Sequence, residues 1–285
     1  MTITTDRTVE QAKPRMLWLD LTRKCQLSCS HCYNSSGPEG DHGTMTIKDW
    51  TRVLDEAAGC GVQQIQLIGG EPTMHPAGAQ LVEHALGLSL RVEIYTNLVH
   101  VSAEWWGLFQ RDGVSLATSY YSDQAEVHNA VTGRPTHART RANIERALTL
   151  DIPLRAGIID TGDGQSVQEA WRDLEALGVT QIGIDRVRRF GRGADGHAPD
   201  MTQLCGNCGT DRAAIGPNGE VSPCVFTSDW MSVGNVHRDP LAAIVGGTAM
   251  AEANASIRGT ARSGVCEPDQ ECKPGTPGSG CSPKA

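Results

Sequence analysis

From residue 16 to about residue 190, short apolar runs alternate with longer amphipathic stretches. That alternation predicts repeated βα units and a parallel sheet. The strand candidates are residues 17–21, 64–68, 92–95, 114–119, 153–159 and 181–185. Thr46 with Asp49 three residues on reads as a capping box, and Trp50, Val53, Leu54, Ala57 and Gly61 follow at helical spacing. Further helices are expected near 77–88, 103–111, 137–150 and 166–177. Because βα crossovers are right-handed, six successive units curl toward a barrel or build an open wound sheet, with working loops at the strand C-termini. The expected fold is α/β, a partial (βα)6 TIM-like barrel with a small cysteine-rich α+β extension.

The pattern breaks after Asp185, where RVRRFGRGADGHAPD is basic and Gly-rich and six cysteines follow. This places an N-terminal extension at 1–15, a core at 16–195 and a second unit at 196–285. Within the latter, 259–285 is dense in Gly, Pro and Ser, a composition that buries little apolar surface unless cysteines tie it down.

Charge narrows the classes. Lys and Arg number 25 against 33 Asp and Glu, a net charge of −8, which disfavours a nucleic-acid partner. No apolar stretch is long enough to cross a bilayer, and MTITTDRTVEQAKPR lacks the apolar core of a signal peptide, so a cytoplasmic protein with no membrane partner is expected. In a reducing compartment the ten cysteines point to metal or catalysis rather than disulfides.

Cys25, Cys29 and Cys32 offer three thiolates within eight residues, on the loop leaving the first strand. Four-iron clusters usually take four thiolates, so three imply a distant fourth or an open iron. A structural zinc also wants four ligands, and His31 competes for that place. Spacing alone leaves both open. Cys205 and Cys208, then Cys224 after the turn Pro217-Asn-Gly-Glu, read as thiolates flanking a β-hairpin. A zinc ribbon is the alternative there. Cys60, at a helix end, reads as a buried small hydrophobe. His75 and His128 read as packing or surface groups, and Arg134, Arg139 and Arg141 as a solvated helix face.

CxxxCxxC with His31 before the third cysteine resembles the cluster motif of the radical S-adenosylmethionine (SAM) superfamily, and Gly69-Gly70-Glu71-Pro72 resembles its GGEP segment. The resemblance implies a [4Fe-4S] cluster on Cys25, Cys29 and Cys32 with SAM on the open iron. SAM is then cleaved to a 5′-deoxyadenosyl radical that abstracts a substrate hydrogen. It also implies that Gly69, Gly70, Glu71 and Pro72 meet SAM's amino group and Tyr33 its adenine. Ser119, Arg155 and Gly157 fall where the family contacts ribose and carboxylate, although Arg155 suits a structural ion pair equally.

The second cysteine set resembles the SPASM or Twitch extension, which binds auxiliary four-iron clusters. Six cysteines, Cys205, Cys208, Cys224, Cys266, Cys272 and Cys281, fall short of its seven. They suit one complete cluster with two spare thiols, or two incompletely ligated ones. Cys205, Cys208 and Cys224 with one tail residue are the preferred set, and a spare thiol among Cys266, Cys272 and Cys281 is a candidate hydrogen donor.

The leading expectation is a maturase that crosslinks or epimerises a ribosomally made peptide. Only fifteen residues precede the first strand, which leaves no leader-binding domain there. An epimerase or dehydrogenase for a small sugar-like or aminoglycoside substrate is the alternative, since an acidic protein suits a cationic ligand. An iron–sulfur electron carrier or zinc protein is the reading from another class. An external donor such as flavodoxin or ferredoxin is the expected redox partner.

Overall fold

The computed structural model describes residues 14–162 and 165–260. Its strands are β1 (Met16–Asp20), β2 (Gln64–Ile68), β3 (Arg91–Tyr95), β4 (Val114–Tyr120), β5 (Leu154–Asp160) and β6 (Gln181–Arg186), then β7 (Arg212–Ile215), β8 (Glu220–Ser222) and β9 (Gly234–Asn235). The helices are α1 (Ile47–Gly59), α2 (Gly78–Gly87), α3 (Ala103–Phe109), α4 (Ala125–Thr132), α5 (His137–Thr149), α6 (Val167–Leu177), α7 (Leu241–Val245) and α8 (Thr248–Thr260). The sheet order is β6-β5-β4-β3-β2-β1-β7-β8-β9, with β1 to β6 parallel in sequence order and the ends unjoined. This is a partial barrel.

Strand register decides what each face holds. Trp18 pairs with Gln66 and Gln66 with Glu93, while Tyr95 pairs with Ala117 and Ala117 with Arg155. Side chains on one rung leave the sheet on the same side, and successive residues alternate. Gln66, Glu93, Tyr95 and Arg155 therefore share the concave face. The alternate set, including Leu17, Leu19, Ile65, Leu67, Val92, Ile94, Leu116 and Ile158, is fully or almost fully buried in the main apolar cluster with Trp50, Val53 and Leu54 of α1. Such burial contributes about 1.5–3 kcal/mol per large side chain.

The expected capping box is formed: Asp49 N donates to Thr46 Oγ1 at 3.3 Å and Thr46 N to Asp49 Oδ2 at 2.9 Å. Three features were not anticipated. Helix α4 adds a second helix between β4 and β5, ending in Gly133 at φ +70°. Cys60 caps α1 half-buried rather than buried. The β7–β8 hairpin, expected to belong to a separate extension, continues the main sheet, β7 pairing parallel with β1.

Two histidines are buried. His75 and His128 are 6% and 1% exposed. Burial, reinforced by His42 for one and His137 for the other, pulls each ring down to about 4. The unfolded chain binds these protons near pH 6.5 and the folded chain does not, so their contribution is complete above about pH 6.5 and falls as pH drops toward 4. Acidification from pH 7 to 4.5 is expected to destabilise the fold by on the order of 2 kcal/mol per ring. Urea titrations should show a shallower pH dependence in His128→Gln; an unchanged slope would count against this assignment.

Candidate active site

The loop after β1 carries Cys25, Cys29 and Cys32, and three elements fix it. Its own turn closes with Cys32 N donating to Cys29 O at 3.3 Å. The end of α4 accepts from it, Ser28 N to Thr132 O at 3.1 Å and Ser30 N to Val131 O at 3.0 Å. The stretch after β6 clamps it: Arg192 N donates to Cys32 O at 2.9 Å, and its guanidinium to Cys29 O at 2.8 Å and Ser36 O at 2.7 Å. The basic, Gly-rich stretch is thus partly a strap across the cysteine loop. At Gly191, φ is +52° and a Cβ would lie 2.3 Å from Tyr33 O.

Gly69 and Gly70 lie against the same loop. Gly70 N donates to Thr22 O at 2.6 Å and Glu71 N to Lys24 O at 2.9 Å. A Cβ on Gly70 would stand 2.2 Å from Lys24 O and 3.0 Å from Cys25 Cβ, so only glycine permits the approach. Gly70→Ala is expected to cost about 2 kcal/mol by forcing the two backbones apart. A denaturation midpoint equal to the parent's would refute this. The carbonyls of Gly69 and Gly70 accept no backbone donor among the described residues, whereas those of Glu71 and Pro72 take Met74 N and His75 N. Acceptors of that kind suit an amino group.

Glu71 is 1% exposed and acts behind this surface. Its carboxylate accepts from Thr73 N and Oγ1 at 3.1 and 2.8 Å, Thr96 Oγ1 at 2.8 Å and Asn97 N at 2.9 Å. Asn97 Oδ1 in turn accepts from Gln26 Nε2 at 2.9 Å, beside Cys25. Burial raises the Glu71 carboxyl against these bonds. Asn97, Gln26 and Arg192 were missed from the sequence.

A cavity of about 780 Å³ opens on the concave face. Cys25, Cys29, Cys32, Tyr33, Gly69, Gly70, Ser119, Arg155 and Gly157 all line it; Glu71 and Pro72 do not. Its floor is a charged cluster: Arg155 Nε and Nη2 donate to the two oxygens of Glu93 at 2.7 and 2.8 Å, and Gln66 Nε2 donates to Glu93 as well. Tyr95 lies under the guanidinium, 5.5 Å from its ring centroid, and its hydroxyl is 3.2 Å from Ser119 Oγ. Arg155 thus sits in an ion pair. His31 packs edge-on to Tyr121 at 5.2 Å. Arg141, expected on a solvated face, grips Asp173 at 2.9 Å, while Arg134 and Arg139 are exposed.

The thiols themselves test whether a metal cluster fits. Burial pushes Cys25 up to about 12, with Glu71 adding to it, and Cys29 up to about 11, with Cys32 adding to it. A bound cation reverses that by deprotonating coordinating thiols. Three thiols face one cavity, a donor set that suits a four-iron cluster with one iron left open.

Cys205, Cys208 and Cys224 gather separately. Gly209 N donates to Pro223 O at 2.9 Å, drawing the Cys208 turn against the strand leading to Cys224. Hydrogen bonds to Cys205 and Cys224, with burial, push the Cys208 thiol up, a shift that a bound cation would reverse. Tyr33, Phe226, Phe190 and Trp230 pack in the same apolar cluster as Cys208 and Cys224, with Tyr33 5.2 Å from Phe226 and Phe226 5.3 Å from Phe190. Cys266, Cys272 and Cys281 lie outside the described residues.

Comparison with known proteins agrees with this geometry. The sequence profile of the Radical SAM superfamily matches residues 19–177, and that of the SPASM iron-sulfur cluster-binding domain matches 197–273. The subtilosin biosynthesis protein AlbA of Bacillus subtilis is 25% identical over 273 residues, covering 84% of this chain and 61% of its own length. The mycofactocin maturase MftC of Mycobacterium ulcerans is 31% identical over 204 residues, 68% of this chain and 54% of its own. The chain thus spans little more than half the length of these relatives. Among solved structures, Streptococcus suis SuiB bound to S-adenosylmethionine superposes with a TM-score of 0.72 at 16% identity, covering 87% of this chain and 68% of SuiB. The structure of anSMEcpe with bound AdoMet gives 0.68 at 14%, covering 86% of this chain and 84% of that one. With more than half its residues in the superfamily profile, a cysteine loop that fits a cluster and the neighbouring glycine pair, the chain belongs to the radical SAM superfamily and carries a SPASM domain.

Proposed function

We infer that the protein is a radical SAM maturase acting on a ribosomally made peptide, forming a crosslink or inverting a stereocentre. The observation that carries the SAM chemistry is the shared cavity: the three cysteines and the two glycines face one volume of about 780 Å³. That lies at the upper end of the roughly 300–1,000 Å³ typical of small-molecule sites, room for a cofactor and part of a substrate. When bound, the cluster and SAM supply a 5′-deoxyadenosyl radical that removes a hydrogen atom from the substrate.

This chain's residues hold and shield. Cys25, Cys29 and Cys32 ligate, Gly69 and Gly70 accept from the cofactor's amino group, and Ser119, Gly157 and Tyr33 border its nucleoside and methionine parts. Arg155, fixed by Glu93, closes the floor against water. Residues 16–195 carry the SAM chemistry, and 196–285 an auxiliary cluster on Cys205, Cys208, Cys224 and a tail cysteine. A flavodoxin- or ferredoxin-like protein supplies the electron. Among the described residues no helix is long and apolar enough to cross a membrane.

The peptide reading rests on the relatives. Subtilosin and mycofactocin maturation, in AlbA and MftC, and the SuiA precursor peptide bound to SuiB point the same way. The cavity also disfavours a cationic small molecule, since Arg155, Arg186, Arg188 and Arg192 line it against Glu93 and Asp185. The test is anaerobic: reconstituted protein, reductant, SAM and a precursor peptide encoded beside the gene. Formation of 5′-deoxyadenosine with a peptide lighter by two hydrogens, or of unchanged mass with an inverted residue, supports the proposal. No 5′-deoxyadenosine from protein with intact clusters defeats it.

A further inference from the structure

Beneath the Arg155–Glu93 floor, at the N-terminal ends of the strands, lies a second cavity of about 210 Å³. Register builds it. Met16 shares a rung with Gln64 and with Arg212, and Gln64 with Arg91, so these four side chains leave the sheet on one side. That side is the concave one, two residues below Glu93. Arg15 and Gln63, just before β1 and β2, complete the rim.

Four guanidinium groups, Arg15, Arg91, Arg155 and Arg212, line this cavity against two carboxylates, Glu93 and Asp211. In a chain whose acids outnumber its bases by eight, that local excess runs against the overall charge. Both carboxylates are already engaged, Glu93 by Arg155 at 2.7 Å and Asp211 by Arg212 at 3.2 Å. The Arg91 guanidinium meets no carboxylate among the described residues, and that of Arg15 has only the Gln63 amide oxygen, at 3.3 Å. Planar guanidinium forks match the oxygens of a phosphate or carboxylate two at a time, and the Gln63 and Gln64 amides add neutral donors. The volume far exceeds the roughly 10–15 Å³ of such space that one water needs, which suits one such group.

We propose that this lower cavity binds a small oxyanion, a phosphate or carboxylate group, held chiefly by Arg91 and Arg15. It is separate from the SAM cavity, with the Arg155–Glu93 pair forming the wall between them.

The experiment is isothermal titration of the full-length, cluster-loaded protein with inorganic phosphate and, separately, acetate, against chloride at constant ionic strength. Saturable one-site binding is expected. Arg91→Gln and Arg15→Gln should each weaken it about tenfold, the loss of one charge-assisted contact. Arg139→Gln, on the exposed face of α5, should leave it unchanged. Tighter phosphate than acetate assigns a phosphate-bearing ligand, and the reverse a carboxylate. No saturable heat with either anion overturns the proposal, as does Arg91→Gln or Arg139→Gln behaving contrary to these expectations in protein that folds as the parent does by circular dichroism.

Discussion

Cys29→Ala is expected to remove about four iron atoms per chain from the reconstituted protein and to end formation of 5′-deoxyadenosine. The two losses belong together because removing one thiol leaves two of the three that hold the cluster. The effect should be chemical rather than structural, since the loop's main-chain ties to Arg192, Thr132 and Val131 do not involve the Cys29 side chain. Cys60→Ala, at the end of α1, should leave iron content and SAM cleavage at parental values. The readouts are iron analysis and chromatography of the nucleoside product. Undiminished 5′-deoxyadenosine from Cys29→Ala would remove this loop from the reaction.

Arg155→Met is expected to lower stability by about 3 kcal/mol. Its partner, Glu93, has a side chain only 9% exposed, and without the guanidinium that carboxylate keeps just the Gln66 amide. A buried charge stripped of its counter-ion is costly, whereas replacing both charges is often nearly neutral. Adding Glu93→Gln to Arg155→Met should therefore recover most of the loss, measured as urea-unfolding free energy. A double variant no more stable than the single would show that the pair is not what holds the cavity floor. If Arg155 instead serves mainly as an anion receptor for SAM, Arg155→Met should weaken SAM binding while leaving unfolding unchanged.

The core strands were legible because apolar positions on their convex face repeat with period two, as in Leu17, Leu19 and Leu21. The same period carried a signal that went unused. Gln66, Glu93 and Arg155 occupy alternate positions that only a polar interior explains, and reading them together would have paired Arg155 with Glu93. Helix α4 escaped because eight residues with Glu126, His128 and Asn129 among them give weak periodicity, although Gly133 offered a stop signal. Arg192 escaped for another reason. Its partners are backbone carbonyls more than 150 residues away, and carbonyls leave no mark in a sequence. The cysteine and glycine motifs were readable since metal and close-approach chemistry restrict residue type directly.

The parallel pairing of β7 with β1 has a bearing on how the chain is made. Leu17 must wait for Ala213 before its strand has a neighbour on both sides. Contacts so distant in sequence close late and slow folding. During synthesis the nascent barrel therefore presents β1 as a bare edge, of the sort that invites pairing with other chains. A fragment stopped near residue 195 would keep that edge permanently, so the cysteine-rich unit doubles as the barrel's protection against aggregation.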